Sequence, residues 1–304
     1  MKGYKGFNPG LICKDKQYQE NTVFEEPEAK ICEKGMHFCE NPFDVLDYYD
    51  LIRSDGTPNE FAKVEALDEP KTDDKKKFCS RKLKIGVKLG LSGFVKACVD
   101  FVLEKTIAEM PSENVDSGNS ARIGSSGNYA RIGSSGASAQ IGSSGDSARI
   151  GSSGDSARIG SSGYYARIGS SGDSAQIGSS GYYARIGSSG NYARIGSSGA
   201  SAQIGSSGDS ARIGSSGDSA RIGSSGNSAQ INCTGSDSVI CCAGHGSVVK
   251  APIGCWITLA EWKYDGAKQR CVPVCVKTEY VDGEKIKADT PYTLKNGEFV
   301  EVKP

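Results

Sequence analysis

From Gly118 to Ile231 apolar and polar positions repeat on a nine-residue period without insertion or deletion, in units of the form Gly-x-[Ser/Tyr]-Ala-[Arg/Gln]-Ile-Gly-Ser-Ser. Thirteen isoleucines, Ile123 to Ile231, form one comb, and alanines from Ala121 to Ala229 form a second, always two residues earlier. The Ala-[Arg/Gln]-Ile tripeptide alternates apolar, polar, apolar, which predicts a short strand with Ala and Ile on one side and Arg or Gln on the other. Gly-Ser-Ser-Gly predicts a tight corner, since glycine accepts the positive φ values that corners demand. A unit this small cannot bury its own apolar side and must stack on its neighbours, which is a solenoid. A coil of two units, with one strand from each, brings the Ile and Ala rows together without a hollow, whereas a coil of three leaves a wider bore for such small side chains. The two-sided coil is therefore expected.

After Ile231 the comb continues in degraded form through Ile240 and Val249, with Gly235 and Gly244 still in register. Cys233, Cys241 and Cys242 replace serines or a glycine of the corners, and such irregular units predict a cap over the apolar end of the stack.

The flanking segments carry other periods. Tyr4–Phe7, Thr22–Phe24, Lys34–Cys39, Phe61–Leu67 and Lys82–Ile85 read as strands, and Lys71–Lys77 as a charged exposed turn. Asn41-Pro42 opens a helix carrying Phe43, Val45, Leu46 and Tyr49, and Gly93–Ile107 has helical spacing. Downstream, Cys255–Trp262 and Cys271–Thr278 read as strands, with hairpin turns at Asp265-Gly266, Asp282-Gly283 and Asn296-Gly297. The expected architecture is mainly β: an N-terminal α+β domain (1–116), a β-solenoid (117–249, capping units from about 232) and a small C-terminal antiparallel β module (250–304) packed on the solenoid's end.

Composition narrows the chemistry. In 304 residues, 36 basic groups meet 36 acidic ones, so no whole-chain field draws the protein to nucleic acid or membrane. No apolar run is long enough to span a bilayer, and the N-terminal residues lack the apolar stretch of a secretory leader. Eleven cysteines at irregular spacing are then expected to be reduced and mostly buried, in a cytoplasmic protein. With two histidines, His37 and His245, and no Cys-x-x-Cys, no metal site is expected. His37, between Met36 and Phe38, reads as a hydrogen-bonded residue at the edge of a core.

The solenoid's nine-residue period is similar to that of the calcium-binding β-roll, but Ser or Tyr stands where that repeat carries its aspartate. Acidic residues occur one position earlier, in five of thirteen units, too few for an oxygen cage. Ice binding is disfavoured because the strand rows carry arginine and glutamine. What the outward surface offers is nine arginines, among them Arg131, Arg149, Arg167 and Arg185, and tyrosines that include Tyr129, Tyr165 and Tyr183. At two units per coil, every repeat tyrosine except Tyr192 falls on one side. Such a strip suits an acidic protein surface, phosphates, stacked bases or sugars, or else serves only as a solvated ladder. Ala137–Ile159 recurs at Ala200–Ile222, a shift of seven units that exchanges the two sides, which favours the ladder.

Tyr4-Lys5-Gly6, then Gly35-Met36-His37-Phe38-Cys39-Glu40-Asn41-Pro42, then Tyr48-Tyr49 and the Phe61–Leu67 strand resemble an uncharacterised domain at the start of phage and gut-bacterial repeat proteins. The C-terminal segment resembles the tail module of the same proteins. Over the span from Tyr4 to Leu67 the N-terminal segment is also distantly similar to ADP-ribosyltransferase domains. That likeness implies a nicotinamide pocket framed by Tyr4, Lys5, His37 and Tyr49, with NAD as cofactor. It also requires a late glutamate, and none lies between Glu69 and Glu104.

The leading functional expectation is a non-enzymatic interaction protein, a rigid solenoid presenting two end domains and an Arg/Tyr surface to a macromolecule, with protein preferred over nucleic acid. The rivals are an ADP-ribosyltransferase-like enzyme and an inhibitor or decoy of a host system. A cleft lined by Tyr4, Lys5, His37 and Tyr49 would favour the enzyme.

Overall fold

A computed structural model describes residues 1–53, 55–105, 113–116 and 118–303. Ser117, where the composition shifts, and Ile107, expected at the end of the second helix, lie outside the described residues.

The N-terminal domain contains β1 (Lys2–Phe7), β2 (Ile12–Cys13), β3 (Lys16–Gln17), β4 (Val23–Glu25), β5 (Met36–Cys39), α1 (Pro42–Val45), β6 (Glu60–Ala66), β7 (Lys77–Ser80), β8 (Lys82–Leu89) and α2 (Leu91–Lys105). Six of these strands pair antiparallel in the order β4-β8-β6-β1-β5-β7, and β2-β3 is a separate short hairpin. Alternation divides the sheet's side chains between two cores. Phe7, Met36, Phe38, Val64, Leu83 and Ile85 pack on one side, while Phe43, Leu46, Ile52, Phe61, Phe94 and Val102 pack with the helices on the other. The Asn41 side chain caps α1 by accepting from Phe43 N–H at 3.0 Å. The helix lasts one turn, so Tyr49 follows in a turn instead of completing the expected helical face.

The wound strands are β9 (Glu113–Asp116), β10 (Arg122–Ser125), β11 (Arg131–Ser134), β12 (Gln140–Ser143), β13 (Arg149–Ser152), β14 (Arg158–Ser161), β15 (Arg167–Ser170) and β16 (Gln176–Ser179). They continue as β17 (Arg185–Ser188), β18 (Arg194–Ser197), β19 (Gln203–Ser206), β20 (Arg212–Ser215), β21 (Arg221–Ser224), β22 (Gln230–Cys233), β23 (Val239–Cys242) and β24 (Val248–Lys250). Each pairs in parallel with the strand two units on, Ile123 opposite Ile141 and Ile132 opposite Ile150, so that one coil takes two repeats, as expected. Odd and even strands form two sheets, with the Ile and Ala rows buried between them.

The corners differ from expectation. The positive φ falls on the Ser or Tyr before each alanine, for example Tyr165 and Ser174 at 56° and 57°, and not on the corner glycines. Those glycines serve close approach instead: a Cβ on Gly181 would lie 1.9 Å from the Gly163 carbonyl oxygen of the coil below. The first serine of each Ser-Ser pair is no corner residue either. It ends the strand pointing inward, and Ser143, Ser161, Ser179 and Ser197 are fully buried. The scattered Asp and Asn residues also acquire a role, since their Oδ1 atoms accept the N–H one coil on, as in Tyr164 N to Asp146 at 2.8 Å and Asp173 N to Asp155 at 2.9 Å.

The C-terminal strands β25 (Trp256–Asp265), β26 (Arg270–Tyr280), β27 (Tyr292–Lys295) and β28 (Glu298–Glu301) are antiparallel hairpin partners, but they do not form one sheet of their own. β25 joins β23 and extends the odd sheet; β27 joins β24 and extends the even one. Asp282-Gly283 accordingly lies in the connection between sheets, where the Asp282 carboxylate accepts three backbone N–H groups, and is not a hairpin turn. Capping is thus achieved by continuing both ladders and closing over Cys255, Leu259, Ile286 and Tyr292.

The N-terminal domain lies along the even sheet, not beyond the end of the coil. The mid-strand glycines of that sheet form a flat groove for α2: a Cβ on Gly142 would sit 3.2 Å from Val99, on Gly178 2.7 Å from Val95, and on Gly214 2.7 Å from Ile52. Around this apolar seam Arg158 pairs with Asp44 and Asp47, Arg194 with Asp50 at 3.0 Å, and Asn41 donates to Gln140 at 3.2 Å.

Candidate functional site

Two regions gather the residues singled out from the sequence. The first is a cavity of about 740 Å³ in the N-terminal domain, between strands β1 and β5 of the sheet, the β2-β3 hairpin and the turn after α1; Tyr4, Lys5, His37 and Tyr49 all line it. Lys5, central in β1, points its amine inward and is buried. Its Nζ donates to the His37 carbonyl oxygen at 3.0 Å and to Cys13 Sγ at 3.4 Å, and stands 5.4 and 5.6 Å from the Phe7 and Tyr18 ring centroids. No carboxylate among the described residues pairs with it, and burial holds its pKa below the ordinary lysine value.

Tyr49 donates its hydroxyl to Cys13 Sγ at 3.0 Å, and burial pushes its ionisation upward, so it stays a neutral phenol. His37 accepts at Nε2 from Cys32 N–H at 3.0 Å. Burial, then the charge of Lys5 and Lys77, lowers its pKa to about 4. The ring is therefore neutral near pH 7, with its acceptor nitrogen committed to the backbone. Cys13, Tyr18 and Lys77 also line it without a sequence signal, the first two from the hairpin of two-residue strands and its exit, and Lys77, expected in the exposed turn, as the half-buried first residue of β7; Tyr48 stands beside Tyr49 in the turn after α1.

The second region is the outer face of the odd sheet. Arg131, Arg149, Arg167, Arg185, Gln203 and Arg221 form one row along it, and the glycines beside Arg149 to Arg221 leave a shallow trough in which an added Cβ would meet nothing within 4 Å. Tyr129, Tyr165 and Tyr183 form a parallel row over the adjoining corner, exposed, with Tyr165 and Tyr183 stacked at 5.1 Å. Ser147 occupies the intervening rung. Arg149, Arg167, Arg185 and Arg221 have no ion-pair partner among the described residues, in contrast to Arg158, Arg194 and Arg212 on the covered sheet. The acidic partners of that covered row, Asp44, Asp47 and Asp50, were legible as carboxylates at three-residue spacing after Asn41-Pro42, but nothing in the repeats named their target.

Residues 1–97 match a family described as a domain of unknown function, DUF7666. The matched span covers the six-stranded sheet and the first half of α2, and so includes every cavity residue named above. No curated protein and no solved structure matches the chain. Among the described residues, no group of His, Cys, Asp or Glu stands close enough to hold a metal ion, and no helix is long and apolar enough to cross a membrane.

Proposed function

We propose that this chain is a non-enzymatic binding protein whose solenoid offers its open, odd-numbered sheet to a protein partner with an acidic and aliphatic surface. One observation carries the reading: the open sheet repeats the arginine and glycine rows by which the covered sheet holds the N-terminal domain. On the covered side those rows accept the aliphatic ridge of Leu91, Val95 and Val99, flanked by Asp44, Asp47 and Asp50. The open rows present the same flat glycine groove with a denser guanidinium row: Arg131, Arg149, Arg167 and Arg185 follow one another at about 4.8 Å per coil, where Gln140 and Gln176 interrupt the covered row. From Arg131 to Arg221 they extend roughly 25 Å, enough for an interface of ordinary size. Isolated surface ion pairs contribute at most about 1 kcal/mol each, so the groove must supply most of the affinity and the arginines the selectivity. A cytoplasmic setting, where the free cysteines stay reduced, and a role as inhibitor or decoy of a host system accord with this reading.

The test compares capture from cell lysate by the wild type and by Arg149→Glu/Arg167→Glu/Arg185→Glu. A protein retained by the first and lost by the second supports the proposal. Equal retention makes the row a solvated ladder, and retention abolished by nuclease makes the partner a nucleic acid.

A second reading has its own observation, the convergence of Tyr4, Lys5, His37 and Tyr49 on one cavity. It would make the N-terminal domain an ADP-ribosyltransferase-like enzyme with NAD. Glu26 and Glu28 line the cavity but are engaged by Lys16 and Lys34. NAD-dependent transfer to an acceptor, lost on Tyr49→Phe, would support it.

A further inference from the structure

The chemistry of the N-terminal cavity can be taken further without reference to NAD or to the solenoid's partner. Lysine side chains are rarely buried, and a buried ammonium is ordinarily matched by a carboxylate. Lys5 is buried, lines an accessible cavity and has none among the described residues. Its two hydrogen-bond acceptors, the His37 carbonyl oxygen and Cys13 Sγ, equal in number the two N–H groups of a neutral amine. They leave the nitrogen lone pair unengaged. The Phe7 and Tyr18 rings stand 5.4 and 5.6 Å from the amine, and Tyr49 donates to the same Cys13 Sγ. At another side of the same cavity Lys77 donates to Cys32 Sγ at 3.0 Å and stands over Tyr48 at 4.8 Å, also without a carboxylate partner among the described residues.

We propose that Lys5 captures a small carbonyl compound bearing an anionic group, of the 2-oxo-acid class, as an imine, with Lys77 holding the anion. The Nζ lone pair attacks the carbonyl carbon while the C=O π pair moves to oxygen. One proton passes from nitrogen to that oxygen to give the carbinolamine; the nitrogen lone pair then forms C=N as the C–O bond breaks, and the second nitrogen proton goes to the departing hydroxide, which leaves as water. No oxidant or cofactor enters the balance. Burial holds the basicity of Lys5 below the ordinary lysine value, which favours the free amine that imine formation requires.

The test uses the full chain with dilute glyoxylate and cyanoborohydride at pH 7, followed by peptide mapping. The reductant converts the imine to a stable secondary amine, and the expected result is labelling of Lys5 at least tenfold faster than of Lys63. Lys77→Met should slow labelling by glyoxylate about tenfold and labelling by uncharged acetaldehyde by less than twofold. Labelling of Lys5 no faster than of Lys63 overturns the proposal. So does alkylation of Cys13 by iodoacetamide with Lys5 inert to both aldehydes, which would reveal an ammonium–thiolate pair. Equal effects of Lys77→Met on the two aldehydes overturn the anionic part. These readouts need no partner of the open sheet, so their failure leaves the solenoid proposal standing, and the reverse holds.

Discussion

A Cβ on Gly178 would lie 2.7 Å from Val95 Cγ2, while one on Gly187, one repeat later in the same position of the unit, would touch nothing. The chain thus places identical residues in a packed seam and on a free surface. Gly178→Val should wedge α2 off the covered sheet and destabilise the docked domain by about 1–3 kcal/mol, the usual range for overpacking. Gly187→Val should change stability by less than about 0.5 kcal/mol, as exposed substitutions do. Thermal melts together with proteolysis of the N-terminal domain distinguish the two, and equal effects would mean that the seam does not hold in solution.

The ion pairs around that seam have a pH signature. Asp44 is buried beside Arg158, and burial raises its pKa against the opposing pull of the guanidinium. A carboxyl whose folded pKa is raised binds its proton more readily when folded, so its cost is full above that pKa and is relieved as pH falls through it. Arg158→Met removes the cation and should cost about 3 kcal/mol near pH 7, the penalty of an uncompensated buried charge. Acidification toward the carboxylate range should shrink that difference, and Asp44→Asn in the Arg158→Met background should recover most of it. Stability curves of the three proteins at several pH values check the sign.

Much of the fold was legible because the repeat is strict. The Ile and Ala combs could only face inward, and their small volumes favoured a narrow coil of two units over a wider bore, which is the coil observed. The corner was misread because two demands compete there. Close approach between coils at Gly181 admits no Cβ at all, so the left-handed turn passes to Ser and Tyr, which tolerate it at a cost. Docking of α2 was illegible for a different reason: Gly178 and Gly187 are the same letter in the same unit, and only the partner element tells the sheets apart. Around the cavity, the β1 and β5 residues Lys5 and His37 could be anticipated from strand spacing, whereas Cys13 ends a strand of two residues and Lys77 begins one of four, too short for a period to be read.

His37 carries the second pH dependence. Its imidazole titrates from an ordinary value of 6.5 down to about 4 in the folded chain, so folding opposes protonation. The sign follows directly: the unfolded state binds the proton first, and stability present above 6.5 is lost as pH falls toward 4. His37→Gln, which keeps an acceptor for Cys32 N–H, should flatten the stability profile across that window. In the wild type, proton NMR of the ring should show a midpoint near 4. A midpoint above 6 would mean that the cavity is open to water at this ring.

The buried serine row yields the last expectation. Ser179 Oγ is fully buried and has no hydrogen-bond partner among the described residues, as is also true of Ser161 and Ser197. An unsatisfied hydroxyl costs about 1–3 kcal/mol to bury, and stacking repeats the cost along the row. The cap shows a cheaper occupant: Cys233 pairs in register with Ser215, and Cys242 with Ser224, at the same inward position. A thiol is larger and far less demanding of partners, which suits a tight apolar interior. Ser179→Cys should therefore stabilise the solenoid by about 1 kcal/mol and raise the melting temperature of the reduced protein by a few degrees. A lower melting temperature would instead show that the hydroxyls are satisfied, by one another or by water, and that the row contributes to the stack instead of weakening it.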